Sequence, residues 1–219
     1  MRQSHNSNTI GLGLAIFGAL LLTPDTLLMR LSELDGFAML VWRGGLSGIA
    51  YILIWLWFTL RVERKMPAIL TTSFGIVVLC QIANATFFSL AIAVAPVTVV
   101  LISVATVPIF AAILSQIFLG ETLSKFAIAM AALVLIGLYI SVLGQDATSI
   151  ALDASTLLGA GLGLGVAFSL ALNFTIIRKD TTVPFVLAIG VGAILAAILG
   201  ALCADCLLYT SDAADELRS

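Results

Sequence analysis

Hydrophobic residues run along this chain in seven long stretches, which short polar segments separate. An α-helix of about 20 residues crosses the roughly 30 Å of hydrocarbon in a bilayer. The pattern therefore predicts seven transmembrane helices, at residues 9–28, 37–60, 68–91, 96–118, 123–144, 156–177 and 183–204. Apolar runs of this length exclude transmembrane β-strands, which need only about ten residues of alternating polarity. The predicted fold is an all-α polytopic membrane protein.

Composition strengthens this prediction. Hydrophobic residues make up 61% of the chain and charged residues 10%, whereas charged residues make up about 25% of an ordinary soluble domain. A soluble core of this size could not bury the apolar surface that a mean hydropathy of +1.18 implies. The formal net charge of −2 provides no basic surface for nucleic acid. We expect the lipid bilayer as a partner, and no nucleic acid, metal or cofactor.

Lysine and arginine positions predict the orientation, because cytoplasmic loops carry an excess of these residues. With the N-terminal tail 1–8 in the cytoplasm, seven of the eight cations that lie before residue 206, in loops or within three residues of a span end, are cytoplasmic. They are Arg2, Arg61, Arg64, Lys65, Lys125, Arg178 and Lys179. Arg30 alone lies on the opposite side. We predict a multi-pass protein of the inner (plasma) membrane.

Proline positions fit the predicted spans. Pro67, Pro96 and Pro184 fall at the first turn of a span, where the missing N–H has no helical partner to lose. Pro24 and Pro108 lie inside spans, and we expect each of them to kink its helix.

An internal repeat appears when the sequence is shifted by 148 residues. The shift pairs Gly11 with Gly159, Asp25 with Asn173, Arg30 with Arg178, Phe37 with Phe185, and Gly44-x-x-x-Gly48 with Gly192-x-x-x-Ala196. Spans one and two thus recur as spans six and seven, which makes the repeat unit five helices. Because five is odd, the second copy must be inverted in the membrane, as in many secondary transporters.

Four short motifs resemble those of the EamA-like branch of the drug/metabolite transporter superfamily. They are Trp42-Arg43, Ala91–Pro96 entering the fourth span, Val107–Phe110 within that span, and Leu119-Gly120-Glu121-Thr122-Leu123 before the fifth. The last resembles the family's G-E-x-L turn. The resemblance covers roughly residues 10–204. It implies ten helices in two inverted five-helix repeats, a central cavity and efflux of small metabolites. Residues 9–144 would form the first repeat, and 156–205 the first two helices of the second.

The final segment, 206–219, is polar, unlike the spans before it. Cys206–Glu216 matches the translation of a transposase adaptor used in preparing sequencing libraries. We therefore interpret 206–219 as a non-native tail, the alternative being a genuine polar tail. On this interpretation we expect the natural protein to continue past Asp205 into the helices that complete the second repeat.

Two charged residues, Asp25 and Arg43, lie at least three residues inside predicted spans. A charge at the bilayer centre costs about 2.5–3.5 kcal/mol on insertion scales, so such residues are functional candidates. Their similar depths in adjacent antiparallel helices predict that they pair. The alternatives are a structural salt bridge at the outer rim, or an Arg43 side chain that extends to the lipid head groups.

Four uncharged residues complete the candidate substrate-binding set. Gln81 and Asn84, three residues apart in one span, share a helix face. Asn173 is the repeat partner of Asp25. These amides would bind substrate or bond to other helices. Trp42, beside Arg43, would line a cavity or anchor its helix at the membrane interface.

Three functions compete. We expect a secondary transporter that exports a small molecule by alternating access, whose substrate the sequence does not identify. An intramembrane enzyme is an alternative, because Gly45-Leu46-Ser47-Gly48 matches the G-x-S-G of rhomboid-type serine proteases. That chemistry needs a histidine base, and the single histidine, His5, lies in the N-terminal tail, so we predict no enzyme. The third alternative is a structural membrane protein, and a homodimer is left open.

Overall fold

A computed structural model of the chain describes residues 34–61, 71–120 and 153–216, with side chains as far as residue 204. It also describes scattered positions in 13–32 and in 129–137. The described part of the chain contains no β-strand. Its helices are α1 (Gly36–Arg61), α2 (Thr72–Val94), α3 (Val97–Val104), α4 (Val107–Leu119), α5 (Ala154–Lys179) and α6 (Phe185–Glu216).

Residues Met1–Leu34 form a compact unit of their own. Within it, Leu27, Leu28 and Met29 are helical, and the Ser32 hydroxyl donates a hydrogen bond to the Met29 carbonyl at 2.7 Å. The second unit, Asp35–Ser219, contains all six helices, α1 to α6.

Within the described ranges, five segments are long and apolar enough to cross a membrane. They are α1, α2, α3 with α4, α5, and the Phe185–Ala204 part of α6. Four predicted spans agree with these segments within two residues at each end. Predicted spans 9–28 and 123–144 fall largely outside the described residues, so the count of seven stays a prediction. Helix α6 continues to Glu216, and the interpretation of 206–219 as a non-native tail also stays a prediction.

Helix α2 departs from the prediction at both ends. It begins at Thr72 rather than residue 68, because the Thr71 hydroxyl accepts a hydrogen bond from the Phe74 N–H at 3.1 Å and caps the helix. It continues to Val94, so Ala91–Val94 ends α2 instead of entering the next span. Proline disfavours helical geometry in the residue before it. Ala95, which precedes Pro96, is accordingly extended, with φ −130° and ψ 161°.

The fourth predicted span is broken at Ala105–Thr106 into α3 and α4. Pro108, at the start of α4, has no N–H, so the carbonyl four residues earlier loses its helical donor. The Thr106 hydroxyl and N–H both donate to the Ser103 carbonyl, at 2.6 and 3.2 Å. The helix is therefore interrupted next to Pro108, the position at which a kink was predicted. The kink predicted at Pro24 lies outside the described residues.

Helices α2 and α5 form the centre of the described bundle. Helix α1 packs on α6 and α2, α2 packs on α5 and α6, and α3 and α4 both pack on α5. Large apolar side chains line the outer face of α1 at helical spacing, as expected for a surface in contact with lipid. These exposed residues include Trp42, Leu46, Ile49, Leu53 and Leu60.

The two helices that the 148-residue shift relates, α1 and α6, pack against each other through small residues. A Cβ added at Gly44 would lie 2.8 Å from the Ala193 carbonyl oxygen, and one at Gly48 would lie 2.9 Å from that of Gly190. Gly200 meets Phe37 near the start of α1, whereas Gly190 meets Ile52 further along it. The two helices are therefore antiparallel and nearly in backbone contact.

The directions of the helices assign their first and last residues to two opposite ends of the bundle. The end where α1 begins, which we call the Gly36 end, also contains the end of α2, because Gly36 packs against Leu90. The opposite end, the Arg61 end, contains the start of α2 and the ends of α4 and α5. There the Lys179 ammonium lies 5.6 Å from the centre of the Phe118 ring. This end also contains the cations of the described helix ends, which are Arg61, Arg178 and Lys179.

Candidate functional site

A polar face of α2 turns into the bundle. Gln81, Asn84 and Phe88 are spaced by three and four residues, which places them on one side of a helix. All three are half-buried. A Cβ added at Gly192 of α6 would lie 2.7 Å from the Gln81 Cβ. Since α6 approaches this closely, the absence of a side chain at Gly192 makes room for Gln81.

Arg43 reaches the same face from α1. The centre of its guanidinium lies 4.9 Å from the centroid of the Phe88 ring, and such a cation–π contact is worth about 0.5–2 kcal/mol. Within the described spans, Arg43 is the one charged residue more than a turn from any helix end. The structure thus places Arg43 beside Phe88, on the face of α2 that also carries Gln81 and Asn84, so that three of the six predicted site residues share one side of α2. Asp25, the predicted partner of Arg43, lies outside the described residues.

Trp42 faces a different direction. It precedes Arg43 by one residue, which turns its side chain by about 100° around the helix. Its side chain is 63% exposed, on the apolar face described above. This position fits an aromatic residue at a membrane interface.

Asn173 lies in α5, six residues before its end at Lys179, and is only 3% exposed. Its side-chain oxygen has no hydrogen-bond partner among the described residues. Gly165 packs against Phe87, while Ile176 packs in one cluster with Phe74. Helices α2 and α5 are therefore antiparallel, and Asn173 lies between these two contacts, closer to the one that involves Phe74. An unpaired polar atom in hydrocarbon costs several kcal/mol, so we expect this oxygen to acquire a partner when the protein functions.

Two hydroxyl groups of α2 that the sequence analysis did not select share this property. The oxygens of Thr86 and Ser89 are buried and have no hydrogen-bond partner within the described ranges. Serine and threonine in a membrane helix usually bond to a carbonyl of the preceding turn, as Thr175 does with Ala171 at 2.8 Å. Hydroxyl groups in an apolar span could have been selected from the sequence as candidate contacts. Whether they are paired depends on side-chain rotamers and helix packing, which the sequence pattern does not give.

The described ranges contain few other side chains that could act as a nucleophile or as metal ligands. The Ser47 hydroxyl, which the protease hypothesis would use as nucleophile, donates to the Arg43 carbonyl of its own helix at 2.5 Å. That is a common arrangement for serine in a membrane helix. No three side chains among His, Cys, Asp and Glu lie close enough together to hold a metal ion in the part of the chain that the structure describes.

Comparison with known proteins identifies the family. The sequence model of the EamA-like transporter family matches residues 9–143, which is more than half of the chain and includes α1 to α4. No curated protein and no solved structure matches the chain. The match covers the segment predicted to form the first repeat, and the described helices within it are apolar and membrane-spanning. The chain is therefore a multi-pass membrane protein that belongs to the EamA-like transporter family.

Proposed function

We propose that this protein is a secondary transporter that exports a small metabolite or drug-like compound by alternating access. The observation that carries the proposal is the packing of α1 on α6. These helices correspond under the 148-residue shift, and they meet antiparallel through Gly44, Gly48 and Gly190. An inverted repeat requires corresponding helices to be antiparallel, as these are, and such transporters bind substrate where the two repeats meet. The ten-helix architecture of two inverted repeats is part of the proposal.

The proposed substrate path follows the inward face of α2. Arg43, which lies over the Phe88 ring, provides a cation, and Gln81 and Asn84 provide two amides along the same face of α2. Asn173 of α5 provides a buried oxygen without a partner, and its repeat partner Asp25 is proposed as the matching contact. A site with a few polar groups in an apolar wall suits a small amphipathic solute. Trp42 is retained as a proposed contact at the margin, where it also anchors α1 in the membrane.

The proposed location is the inner membrane, with the N-terminus in the cytoplasm. Support comes from Arg61, Arg178 and Lys179, which lie at one end of the bundle. The positive-inside rule assigns that end to the cytoplasm. The proposed partners are the lipid bilayer and the small-molecule substrate, and a homodimer stays a prediction.

Solute flux tests the proposal. The protein, expressed from its native gene and reconstituted in liposomes, should catalyse saturable movement of at least one class in a panel of amino acids, nucleosides and lipophilic cations. Asn84→Ala should lower flux of that solute more than tenfold. Leu79→Ala, a change at an exposed residue of the same helix, should leave it within about twofold, because surface substitutions have small effects. Flux no faster than in protein-free liposomes across the panel would contradict a transport function.

A further inference from the structure

A carboxylate ties the connection between α5 and α6 to the beginning of α2. The side chain of Asp180 accepts hydrogen bonds from the Thr182 N–H at 3.1 Å and from the Thr182 hydroxyl at 2.6 Å. It also accepts one from the side chain of Ser73 in the first turn of α2. These donors hold the pKa of Asp180 below its ordinary value. We call these three residues, Ser73, Asp180 and Thr182, the latch.

An apolar cluster lies directly beside the latch and joins the same helices. It contains residues from the first turns of α2, the last turn of α5 and the beginning of α6. Its buried members are Phe74, Val77, Val78, Ile176, Val183, Leu187 and Ala188. Helix α2 belongs to the predicted first repeat, and α5 and α6 belong to the second. The latch and the cluster therefore close the contact between the repeats at the Arg61 end.

The position of this contact along α2 relates it to the proposed substrate path. Val78 in the cluster precedes Gln81 by three residues, which is less than one helical turn. Any separation of the first turns of α2 from α5 and α6 would open a route from the Arg61 end to Gln81 and Asn84. Closing that route requires apolar burial, which the cluster supplies, and a fixed register, which the hydrogen bonds of the latch supply.

The carboxylate of the latch has no counterpart at the position that the internal repeat relates to it. Under the 148-residue shift, Asp180 corresponds to Ser32, which has no carboxylate. The Ser32 hydroxyl donates instead to Met29 within its own turn. A device present in one repeat only would act at one end of the bundle only.

We propose that the latch and the apolar cluster form a gate, which closes the substrate path at the Arg61 end and opens when α2 separates from the α5–α6 connection. The proposal rests on the transport function proposed above, for which it identifies one of the two moving barriers. Hydrogen bonds exposed to water break at low cost, because water replaces the lost partner. The latch therefore sets how often the gate opens, while the cluster seals it when closed.

A native cysteine reports on the gate. Cys80 is buried in α2, two residues beyond Val78. With Cys203 and any later cysteine changed to serine, the rate at which a membrane-impermeant maleimide labels Cys80 measures how often this region opens. The protein is reconstituted in liposomes, and the reagent is added from each side in turn. A separate variant, Thr181→Cys, at an exposed position of the turn, identifies which side is the Arg61 end.

Asp180→Ala and Ser73→Ala should each raise the labelling rate from the Arg61 end at least about threefold, as expected for the loss of exposed hydrogen bonds. Labelling from the other side should not change. Asp153→Ala is the matched control, because it removes an aspartate that caps the opposite end of α5. It should leave labelling of Cys80 from the Arg61 end unchanged.

Three outcomes would overturn the gate. They are an unchanged rate in both latch variants, an equal increase from both sides, and an equal increase in the Asp153→Ala control. The last two would indicate general loosening of the fold. No substrate is needed for this measurement. A protein that shows side-specific labelling but no flux would therefore contradict the transport function without contradicting the movement of α2.

Discussion

Substitution of Gly44 tests the contact between α1 and α6 most sharply, because the adjacent glycine provides its control. A Cβ at Gly44 would lie 2.8 Å from the Ala193 carbonyl oxygen and 3.2 Å from the Ala197 Cβ. The backbone of α6 cannot move aside as the tip of a flexible side chain can. A Cβ at Gly45 would meet nothing within 4 Å. Alanine should therefore separate the helices at Gly44 and be accommodated at Gly45.

The difference between the two variants isolates packing. Both substitutions gain the same helix propensity, about 0.5–1 kcal/mol for alanine over glycine. Overpacking costs about 1–3 kcal/mol at Gly44 and is absent at Gly45. Because the propensity gain cancels between them, Gly44→Ala should be less stable than Gly45→Ala by about 1–3 kcal/mol. Gly45→Ala should equal or exceed the wild type.

Equilibrium unfolding in mixed detergent micelles measures this difference. Titration with sodium dodecyl sulfate, followed by tryptophan fluorescence, gives the free energy of unfolding for each variant. Trp42, Trp55 and Trp57 all lie in α1, so the signal arises from the helix under test. If the free energies of Gly44→Ala and Gly45→Ala agree within about 0.5 kcal/mol, the close α1–α6 contact is wrong.

Three further predictions concern orientation, charge pairing and helix capping. Single cysteines at Ala154 and Thr181, exposed positions at opposite ends of α5, should label from opposite sides of the membrane, with Thr181→Cys labelled from the cytoplasm. Labelling from one side would overturn the topology. Asp25→Asn and Arg43→Gln should be non-additive in a double-mutant cycle for stability, and additive effects would mean that the two residues do not pair. Hydrogen bonds from Thr156 and Ser155 lower the pKa of Asp153 below 3.8. Its contribution to stability should therefore be complete above about pH 5 and lost as the pH falls through that lowered pKa. The stability gap between wild type and Asp153→Ala should close in acid, and a gap that widened instead would contradict the capping role.

Helix positions followed from the sequence because they depend on apolar length and on proline. Hydropathy placed α1 and α5 within two residues of their observed bounds, and the missing N–H of Pro108 predicted the break between α3 and α4. The start of α2 was missed because residues 68–70 are apolar and were counted in the span, although the polar residues 71–73 follow them. The cap at Thr71 decides that boundary, and hydropathy does not register it. The motif Ala91–Pro96 was assigned to the entry of the fourth span, whereas Ala91–Val94 ends α2. Hydropathy does not mark this boundary either.

The candidate site was only partly predictable. Arg43, Gln81 and Asn84 could be selected because polar side chains are costly in a bilayer. The contact of Arg43 with Phe88 depends on the angle and position at which α1 crosses α2. The hydropathy pattern of a single helix carries no information on that crossing. The bond between Ser73 and Asp180 joins residues more than 100 positions apart. Such a contact follows from tertiary packing and leaves no local signal.

Alternating access is the central claim, and accessibility of Asn84 from the two sides of the membrane tests it most directly. Asn84→Cys is made in the natively expressed protein with every native cysteine, including Cys80 and Cys203, changed to serine. A membrane-impermeant maleimide is then added from each side in turn. We predict labelling from both sides, with a transported solute raising one rate and lowering the other. Labelling from one side only, at a rate that no solute changes, would contradict the claim.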